Sequence, residues 1–300
     1  MIESPTLTEA KNSTEREPVG EAPQPHLIIR PSSGWAALNL KQIWLYRDLL
    51  MTLAGRDVKL RYRQTALGVI WVILQPLLGA GVLSFVFNRV ANVPTGNIPP
   101  FLFTFAAMLG FTAFSSTLSK ASASLVGNAQ LVSKVFFPRL VLPLSTVLST
   151  LVDFGVSLCV LFVLMLLYRI APGPQILLLP LWLTLILLLS LGFGLITAAL
   201  MVSYRDVQYV LPVVLNLLTF GSPIAYTAAF AASKLPAGLQ QFYFFLNPLA
   251  GLLEAFRWSV LGDGEVQWGY VAYSAIFAVA IFIGGAFSFK KMERKFADVI

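Results

Sequence analysis

The segment that decides the fold is Leu140–Tyr168, which reads LVLPLSTVLSTLVDFGVSLCVLFVLMLLY and holds one charged residue, Asp153, in 29 positions. A helix needs about 20 apolar residues to cross the hydrocarbon core of a bilayer, so this segment predicts a membrane-spanning helix. The composition agrees, because 57% of the 300 residues are hydrophobic and 12% are charged, whereas soluble domains are roughly a quarter charged. The sequence therefore predicts an integral membrane protein.

Similar uncharged runs on both sides of this segment predict an all-α integral membrane protein with six transmembrane helices. Residues that end helices separate neighbouring runs, as at Asn97–Pro100 and Ala171–Pro174. The predicted spans are Leu67–Phe87, Phe101–Ser119, Leu140–Tyr168, Leu177–Val202, Val207–Ala229 and Gly269–Phe289.

The remaining apolar segment, Leu235–Leu261, is predicted to enter the membrane and return to the same side, because prolines interrupt it. Its second half, Pro248–Leu261, is predicted to be a helix capped by Asn247 and ended by Gly262. A helix of 14 residues is about 21 Å long, which is too short to cross a core of about 30 Å. We therefore expect a re-entrant helical hairpin before the last span.

Three charged residues fall within apolar segments, where charge is costly and faces a bundle interior or water. Asp153 is interpreted either as a channel-lining or gating carboxylate or as an interhelical hydrogen-bonding group, which could then be protonated. Glu254 and Arg257 are three positions apart on one helix face, so they can pair.

The basic residues predict the orientation. Of the 21 Lys and Arg, 17 lie on one side of the predicted spans and four on the other. The side of a membrane protein that is rich in Lys and Arg is cytoplasmic, and the N-terminal segment lies on that side. An even number of spans, six, then returns the C-terminus to the cytoplasm.

The chain before the first span contains two predicted regions. Residues 1–33 are polar and proline-rich, which is typical of a disordered tail. Residues 35–55 are amphipathic and suit a helix lying at the membrane interface. The basic cluster that follows is Lys59, Arg61 and Arg63. It either attracts a pyrophosphate-linked glycolipid at the inner leaflet, or enforces the positive-inside topology and binds anionic lipid head groups.

The sequence also argues against several classes of function. It contains no G-x-x-x-x-G-K-[ST] motif, so this chain is not expected to bind ATP through a P-loop. The chain has one cysteine and one histidine, which argues against a disulfide framework, a metal cluster and histidine-based catalysis. The net charge is +7, but the basic residues flank apolar runs and do not form one basic face. We therefore expect no nucleic-acid partner. We predict a transport protein without a bound cofactor, and no enzyme.

Three stretches carry a resemblance to a known family. They are RDVKLRYRQT at Arg56–Thr65, NAQLVSKVFFPR at Asn128–Arg139 and YRDV at Tyr204–Val207, followed by Ser222-Pro223-Ile224 and Asn247-Pro248-Leu249. In this order they resemble the permease subunit of ABC-2 type exporters of lipid-linked polysaccharides, such as O-antigen, capsule and teichoic acid. The resemblance covers about residues 35 to 300.

The resemblance implies a homodimer with a central channel in the cytoplasmic (inner) membrane of a bacterium. It implies two cytoplasmic ATP-binding subunits that carry the ATP and Mg, and a lipid-linked polysaccharide as substrate. Residues 34–300 would form the transmembrane domain. Within it, the resemblance implies an interface helix at 35–55, a coupling helix at 127–137 that docks on the ATPase, and a re-entrant gate at 235–261.

The candidate site residues fall into three groups, each with a simpler alternative. The coupling residues are Asn128, Gln130, Leu131, Lys134, Val135, Phe136, Arg205 and Asp206. They could instead pack as a loop helix beneath the membrane, with a local ion pair between the last two. The channel or gate residues are Asp153, Phe220, Tyr226, Tyr243, Glu254 and Arg257. Their aromatic rings could stack on sugars or simply face lipid. The head-group residues are Lys59, Arg61 and Arg63.

Three other functions remain open at this point. A small-molecule ABC exporter would share the architecture. A secondary transporter driven by an ion gradient would call for several intramembrane acids or an internal repeat, and neither is evident. A membrane-bound transferase would need catalytic acids or bases at span ends, where Glu254, Asp263 and Glu265 offer thin support.

Overall fold

The computed structural model describes residues 40–63, 69–264 and 266–299. The predicted tail, 1–33, lies outside these ranges, as does the side chain of Arg63. Every regular element within them is helical. The helices are α1 (Leu40–Leu45), α2 (Arg47–Arg63), α3 (Val69–Ser84, continued by a π-helical turn, Phe85–Val90), α4 (Pro100–Ala123), α5 (Ala129–Lys134), α6 (Val141–Leu167), α7 (Leu179–Ser203), α8 (Val207–Gly221), α9 (Ala228–Ser233), α10 (Ala237–Leu246), α11 (Pro248–Leu261) and α12 (Trp268–Val299).

In the part of the chain that the structure describes, five helical segments are long and apolar enough to cross a membrane, and they match five predicted spans. The segments are Ile70–Val90, Pro100–Ala123, Val141–Leu167, Pro174–Ser203 and Trp268–Glu293. The prediction for Val207–Ala229 is wrong in length, because α8 ends at Gly221 after 15 residues. Ser222 takes an extended conformation there, since the residue before a proline disfavours the helical region.

The centre of the bundle consists of α4 and α7. In their most apolar stretches, 72% and 67% of the residues are buried, against 22% to 28% in the α3, α6 and α12 segments. The main core joins side chains such as Phe105, Leu109, Ile186 and Phe256. A helix that is apolar on all sides belongs at such a centre, and α7, which carries no charged residue, fits this description.

Close packing between α7 and α12 depends on small residues. A Cβ atom at Gly192 of α7 would lie 2.7 Å from the backbone carbon of Ile281. A Cβ atom at Gly285 of α12 would in turn clash with the backbone of Gly192. Small residues let helix backbones approach in a membrane, where the hydrophobic effect does not drive helices together.

The short helix α11 is buried between α4, α7 and α12, and its predicted bounds are confirmed. Pro248 occupies its first turn, and Gly262 ends it with a φ of 72°, a left-handed conformation that glycine adopts freely. The Asn247 side chain does not cap it as expected. It donates instead to the carbonyl of Gly221 and to the Ser222 hydroxyl, both at 3.1 Å.

One end of the bundle, which we call the α5 end, is held by a second apolar core. This core joins α2, α5, α6, α7 and α12 through Leu53, Val132, Val141, Leu195 and Phe289. Helix α2 packs against α6. A displacement of α5 would therefore also displace α2 and the spans that share this core.

Candidate functional site

A cavity of about 700 Å³ lies between α3, α4, α6 and α8, with mostly apolar walls and a group of polar side chains on α4 and α8. We call it the polar cleft. Helix α4 lines it with Thr112, Ser115, Ser116 and Ser119, and α8 faces them with Asn216 and Thr219.

The helical repeat explains the polar cleft. Residues three and four positions apart share one face of a helix, so the four α4 residues form a single hydroxyl stripe on an otherwise apolar span. Thr219 Oγ1 donates 2.9 Å to the carbonyl of Leu215 on its own helix, which leaves its oxygen able to accept a further hydrogen bond. This stripe was not predicted from the sequence, although the spacing of the hydroxyl residues within Phe101–Ser119 indicates it.

At one end of the polar cleft, two cationic side chains meet one carboxylate. Lys120 Nζ lies 3.0 Å from Asp153 Oδ2, and Arg61 Nη1 contacts the same oxygen. The Lys120 ammonium also donates to Ser149 Oγ at 3.2 Å and to Thr150 Oγ1 at 3.4 Å. We call Arg61, Lys120 and Asp153 the ionic cluster.

The ionic cluster bears on both interpretations of Asp153. The side chain lines the polar cleft, as a channel residue would. It also joins helices, but through ion pairs with α2 and α4 instead of a neutral hydrogen bond. Its role in a channel stays a prediction.

A second cavity of about 240 Å³ adjoins the ionic cluster on the α2 side. Its walls include Asp57 and Ser149 together with all three members of the ionic cluster, and we call it the α2 pocket. Since Arg61, Lys120 and Asp153 line both cavities, the two cavities adjoin at the ionic cluster.

The predicted head-group residues are not equivalent. Arg61 belongs to the ionic cluster, whereas the Lys59 side chain is exposed and lines neither cavity. The Arg63 side chain lies outside the described residues. Sequence alone gave no reason to separate Arg61 from its basic neighbours.

The predicted gate residues Glu254 and Arg257 meet at the opposite end of the bundle. Their side chains are 8% and 6% exposed, and Arg257 Nη2 lies 3.7 Å from Glu254 Oε1. Arg257 Nη1 donates to the carbonyls of Pro223, at 2.9 Å, and Tyr226, at 3.3 Å. Glu254 Oε1 accepts from the backbone N–H of Ala228 at 2.6 Å.

These contacts supply partners for the non-helical backbone between α8 and α9. Backbone polar groups at membrane depth need protein partners when no helix satisfies them. The aromatic candidates contribute as well, since the Tyr226 hydroxyl donates to the carbonyl of Phe220 and the Tyr243 hydroxyl to that of Gly221. The Phe220 ring itself is exposed. None of these residues lines the polar cleft, so the geometry favours a structural role, and their gating role stays a prediction.

The predicted coupling residues divide into an exposed and a packed group. Phe136 is 67% exposed, and Gln130, Lys134 and Val135 are exposed too. Leu131 packs on the core of the α5 end. Asn128 Oδ1 accepts from Arg56 of α2 at 2.9 Å, so this segment is tied to α2.

The second predicted coupling position lies at the turn between α7 and α8. The side chains of Arg205 and Asp206 are both exposed. Within the described residues they form no ion pair with each other, so the local ion pair that was the simpler alternative is not formed. Their contact with an ATPase stays a prediction.

Comparison with known proteins connects this architecture to a family. Residues 48–261 match the family described as ABC-2 type transporter. An O-antigen export system permease protein of Klebsiella pneumoniae is 26% identical over 260 residues, which cover 84% of this chain and 95% of that protein. A Myxococcus xanthus protein with the same description is 30% identical over 73% of this chain and 82% of its own length. A polysialic acid transport protein of Escherichia coli is 29% identical over 76% of this chain and 88% of its own length.

Proposed function

This chain belongs to the ABC-2 type transporter family, and we propose that it is the channel-forming permease of an ATP-driven exporter of lipid-linked polysaccharide. The family consists of non-catalytic membrane subunits, and membership implies a partner ABC ATPase. In the proposal, a second copy of the chain completes the channel, and two cytoplasmic ATPase subunits carry the ATP and Mg.

The observation that carries the proposal is the polar cleft in a chain related to export permeases. A sugar chain presents many hydroxyl groups, and hydroxyl and amide side chains can donate to and accept from them. Thr112, Ser116, Asn216 and Thr219 provide such groups within otherwise apolar helices. A purely apolar cargo would offer these groups no hydrogen bonds, and covering unpaired polar groups is costly.

In the proposed topology, α8 is the fifth of six spans, and both termini are cytoplasmic. At about 22 Å for 15 residues, α8 needs the segment that follows it to complete the crossing. The proposal places the membrane-embedded hairpin of α10 and α11 at the outer end. The α5 end, near the proposed cytoplasmic surface, carries the exposed side chains Val135 and Phe136 for docking on the ATPase.

The homodimer would close the open side of the polar cleft. Helix α8 buries only Leu211 and Leu215, and Val210, Val213 and Leu217 are exposed. A second copy placed against this face would cover apolar surface and face one polar cleft with another.

The test is deletion of the gene in its own bacterium, followed by measurement of polysaccharide at the surface and inside the cell. The proposal predicts loss of the surface polymer and accumulation of lipid-linked polymer in the cytoplasm, both reversed by the intact gene. Normal surface polymer, with a changed sensitivity to toxic small molecules, would favour the small-molecule exporter instead.

A second test addresses the energy source. The tagged chain should copurify with an ATP-binding subunit from native membranes, and that complex should hydrolyse ATP. A stable oligomer without such a subunit, whose transport follows an ion gradient, would contradict the proposal.

A further inference from the structure

Two helices beside the polar cleft contain an interior proline. Pro76 lies inside α3 and Pro212 inside α8, and both side chains line the polar cleft. In the other α-helices of the described ranges, prolines occur only within the first turn, at Pro100, Pro143, Pro180 and Pro248. The N–H groups of the first turn have no partner within the helix, so a proline there leaves the helix intact.

An interior proline weakens a helix at one point. It cannot donate to the carbonyl four positions earlier, and its ring clashes with that carbonyl. The carbonyls concerned are those of Val72 in α3 and Gln208 in α8. Helices kink at such positions, because the two parts of the helix are no longer joined by a full set of hydrogen bonds. Helices α3 and α8 can therefore bend at Pro76 and Pro212, whereas α4 and α7 at the centre of the bundle have no interior proline.

Beyond the two prolines, α3 and α8 are anchored to the same non-helical segment between α8 and α9. Asn88, in the π-helical turn that continues α3, donates to the carbonyl of Ala225 at 3.2 Å. The carbonyl of Gly221, the last residue of α8, accepts from the side chains of Tyr243 and Asn247, both at 3.1 Å. The hairpin of α10 and α11 therefore holds the end of α8 directly and the end of α3 through this segment.

Before the two prolines, the same helices are held less firmly within the chain. Ile70 and Trp71 at the start of α3 are exposed, and so are Tyr209 and Val210 at the start of α8. Both starts lie toward the α5 end, since Val202, shortly before α8, belongs to the core of that end and the far end of α3 reaches the opposite anchor. Segments with few buried apolar contacts are the ones that move at low cost.

We propose that Pro76 and Pro212 are paired hinges. The parts of α3 and α8 that precede them swing apart, so that the polar cleft widens at the α5 end while the end beside the hairpin stays closed. The inference rests on the proposed function and deepens it, because this widening would admit the exported chain from the cytoplasmic side.

The test measures labelling of single cysteines by a maleimide in inverted membrane vesicles, prepared from cells that make no exported polymer and carrying the chain with its copurifying ATPase. In a Cys159→Ser background, Ser119→Cys reports on the α5 end of the polar cleft and Thr112→Cys on its interior. ATP should raise the labelling rate of Ser119→Cys severalfold and that of Thr112→Cys less.

Replacing either proline by alanine should remove most of this ATP effect. Pro212→Ala should reduce it about fivefold, because a hydrogen bond to the Gln208 carbonyl then resists bending and one such bond shifts an equilibrium by about this factor. Pro76→Ala should act in the same way through the Val72 carbonyl. The melting temperature of both variants should hold or rise, because alanine is the better helix former, and this separates a lost hinge from misfolding.

Glycine and a second proline provide the controls. Pro212→Gly lacks the ring but leaves the backbone free to bend, so it should keep the ATP effect. Pro180→Ala replaces a first-turn proline of α7 and should leave labelling as in the unsubstituted chain.

Several outcomes would overturn the hinges. They are an undiminished ATP effect in both Pro76→Ala and Pro212→Ala, an equal loss in Pro212→Ala and Pro212→Gly, and labelling of Ser119→Cys that does not respond to ATP. Equal acceleration at Thr112→Cys and Ser119→Cys would contradict an opening confined to the α5 end. The assay contains no cargo, so a wrong cargo would leave its result intact, and failed hinges would leave the phenotype of the gene deletion intact.

Discussion

The contact between α7 and α12 and the gap between α3 and α8 are built from opposite kinds of residue. Glycines bring α7 and α12 to backbone contact at Gly192 and Gly285. The polar cleft separates α3 from α8, and α8 buries only Leu211 and Leu215 of its 15 residues. The difference indicates that the α4–α7–α12 core is the rigid part, and that the α3 and α8 side is where a passage can open.

The largest expected effect comes from the buried pair Glu254 and Arg257 on α11, the helix that packs against α4, α7 and α12. Arg257→Leu should lower the stability of the detergent-solubilised protein by about 3–5 kcal/mol, because it leaves the buried Glu254 carboxylate unpaired. The carbonyls of Pro223 and Tyr226 also lose their donor. Thermal unfolding followed by circular dichroism measures this loss.

The exposed Arg205 provides the control for this substitution. Arg205→Leu should stay within about 0.5 kcal/mol of the wild type. A stable Arg257→Leu protein that no longer exports would show instead that the pair is a moving gate. The pair would then belong to the mobile part of the molecule.

The next largest effect is expected at the contact between α7 and α12. Substitutions at two adjacent glycines test this contact. Gly285→Ala should cost about 1–3 kcal/mol or more, because its methyl group would meet the Gly192 backbone. Gly284→Ala adds the same methyl group where nothing lies within 4 Å. It should be neutral or slightly stabilising.

Thermal unfolding of the two variants in one detergent makes this comparison. Similar melting temperatures for Gly284→Ala and Gly285→Ala would contradict the close contact between the two helices.

Two adjacent phenylalanines at the α5 end allow a role in ATPase docking to be distinguished from a role in packing. Phe136 is exposed and Phe137 is 6% exposed. Phe136→Ala should weaken copurification of the ATPase about tenfold or more while the melting temperature holds, since exposed aromatic residues often dominate interfaces. Phe137→Ala should instead lose several kcal/mol, about 3–5, through the cavity it leaves.

Densitometry of the ATPase band, set beside the melting curve of each variant, distinguishes the two effects. An undiminished ATPase band with Phe136→Ala would argue that this segment merely packs beneath the membrane.

The smallest effect is expected from one hydroxyl in the polar cleft. Thr219→Val should reduce export about fivefold, because one hydrogen bond to the substrate is worth about 1 kcal/mol. Thr184→Val removes an equivalent hydroxyl outside the cleft, where it bonds the carbonyl of Pro180 on its own helix. Equal export rates in the two variants, measured as surface polymer per cell per minute, would speak against hydroxyl contacts in the passage.

The sequence predicted those features that depend on neighbouring residues. The bounds of α11 follow from Asn247-Pro248 and Gly262, and five spans follow from uncharged runs. The end of α8 was misplaced, because the run from Val207 to Ala229 stays apolar across the break at Ser222.

The ionic cluster could not be predicted from local patterns. Arg61 is 92 positions from Asp153, and Lys120 is 33 positions from it, so only the tertiary fold brings them together. The same holds for the gate pair, whose pairing was predicted from the helix repeat but whose carbonyl partners, 31 and 34 positions before Arg257, were not.

The central claim is that the polar cleft is the passage for the exported chain, and single-cysteine labelling tests it most directly. In a Cys159→Ser background, Ser116→Cys in the cleft and Leu181→Cys on the exposed apolar surface are treated with a membrane-impermeant maleimide in active cells. Our account predicts that Ser116→Cys reacts much faster than Leu181→Cys and is protected when the exported polymer is stalled in transit. Labelling of Ser116→Cys that is as slow as that of Leu181→Cys, with or without polymer, would contradict it.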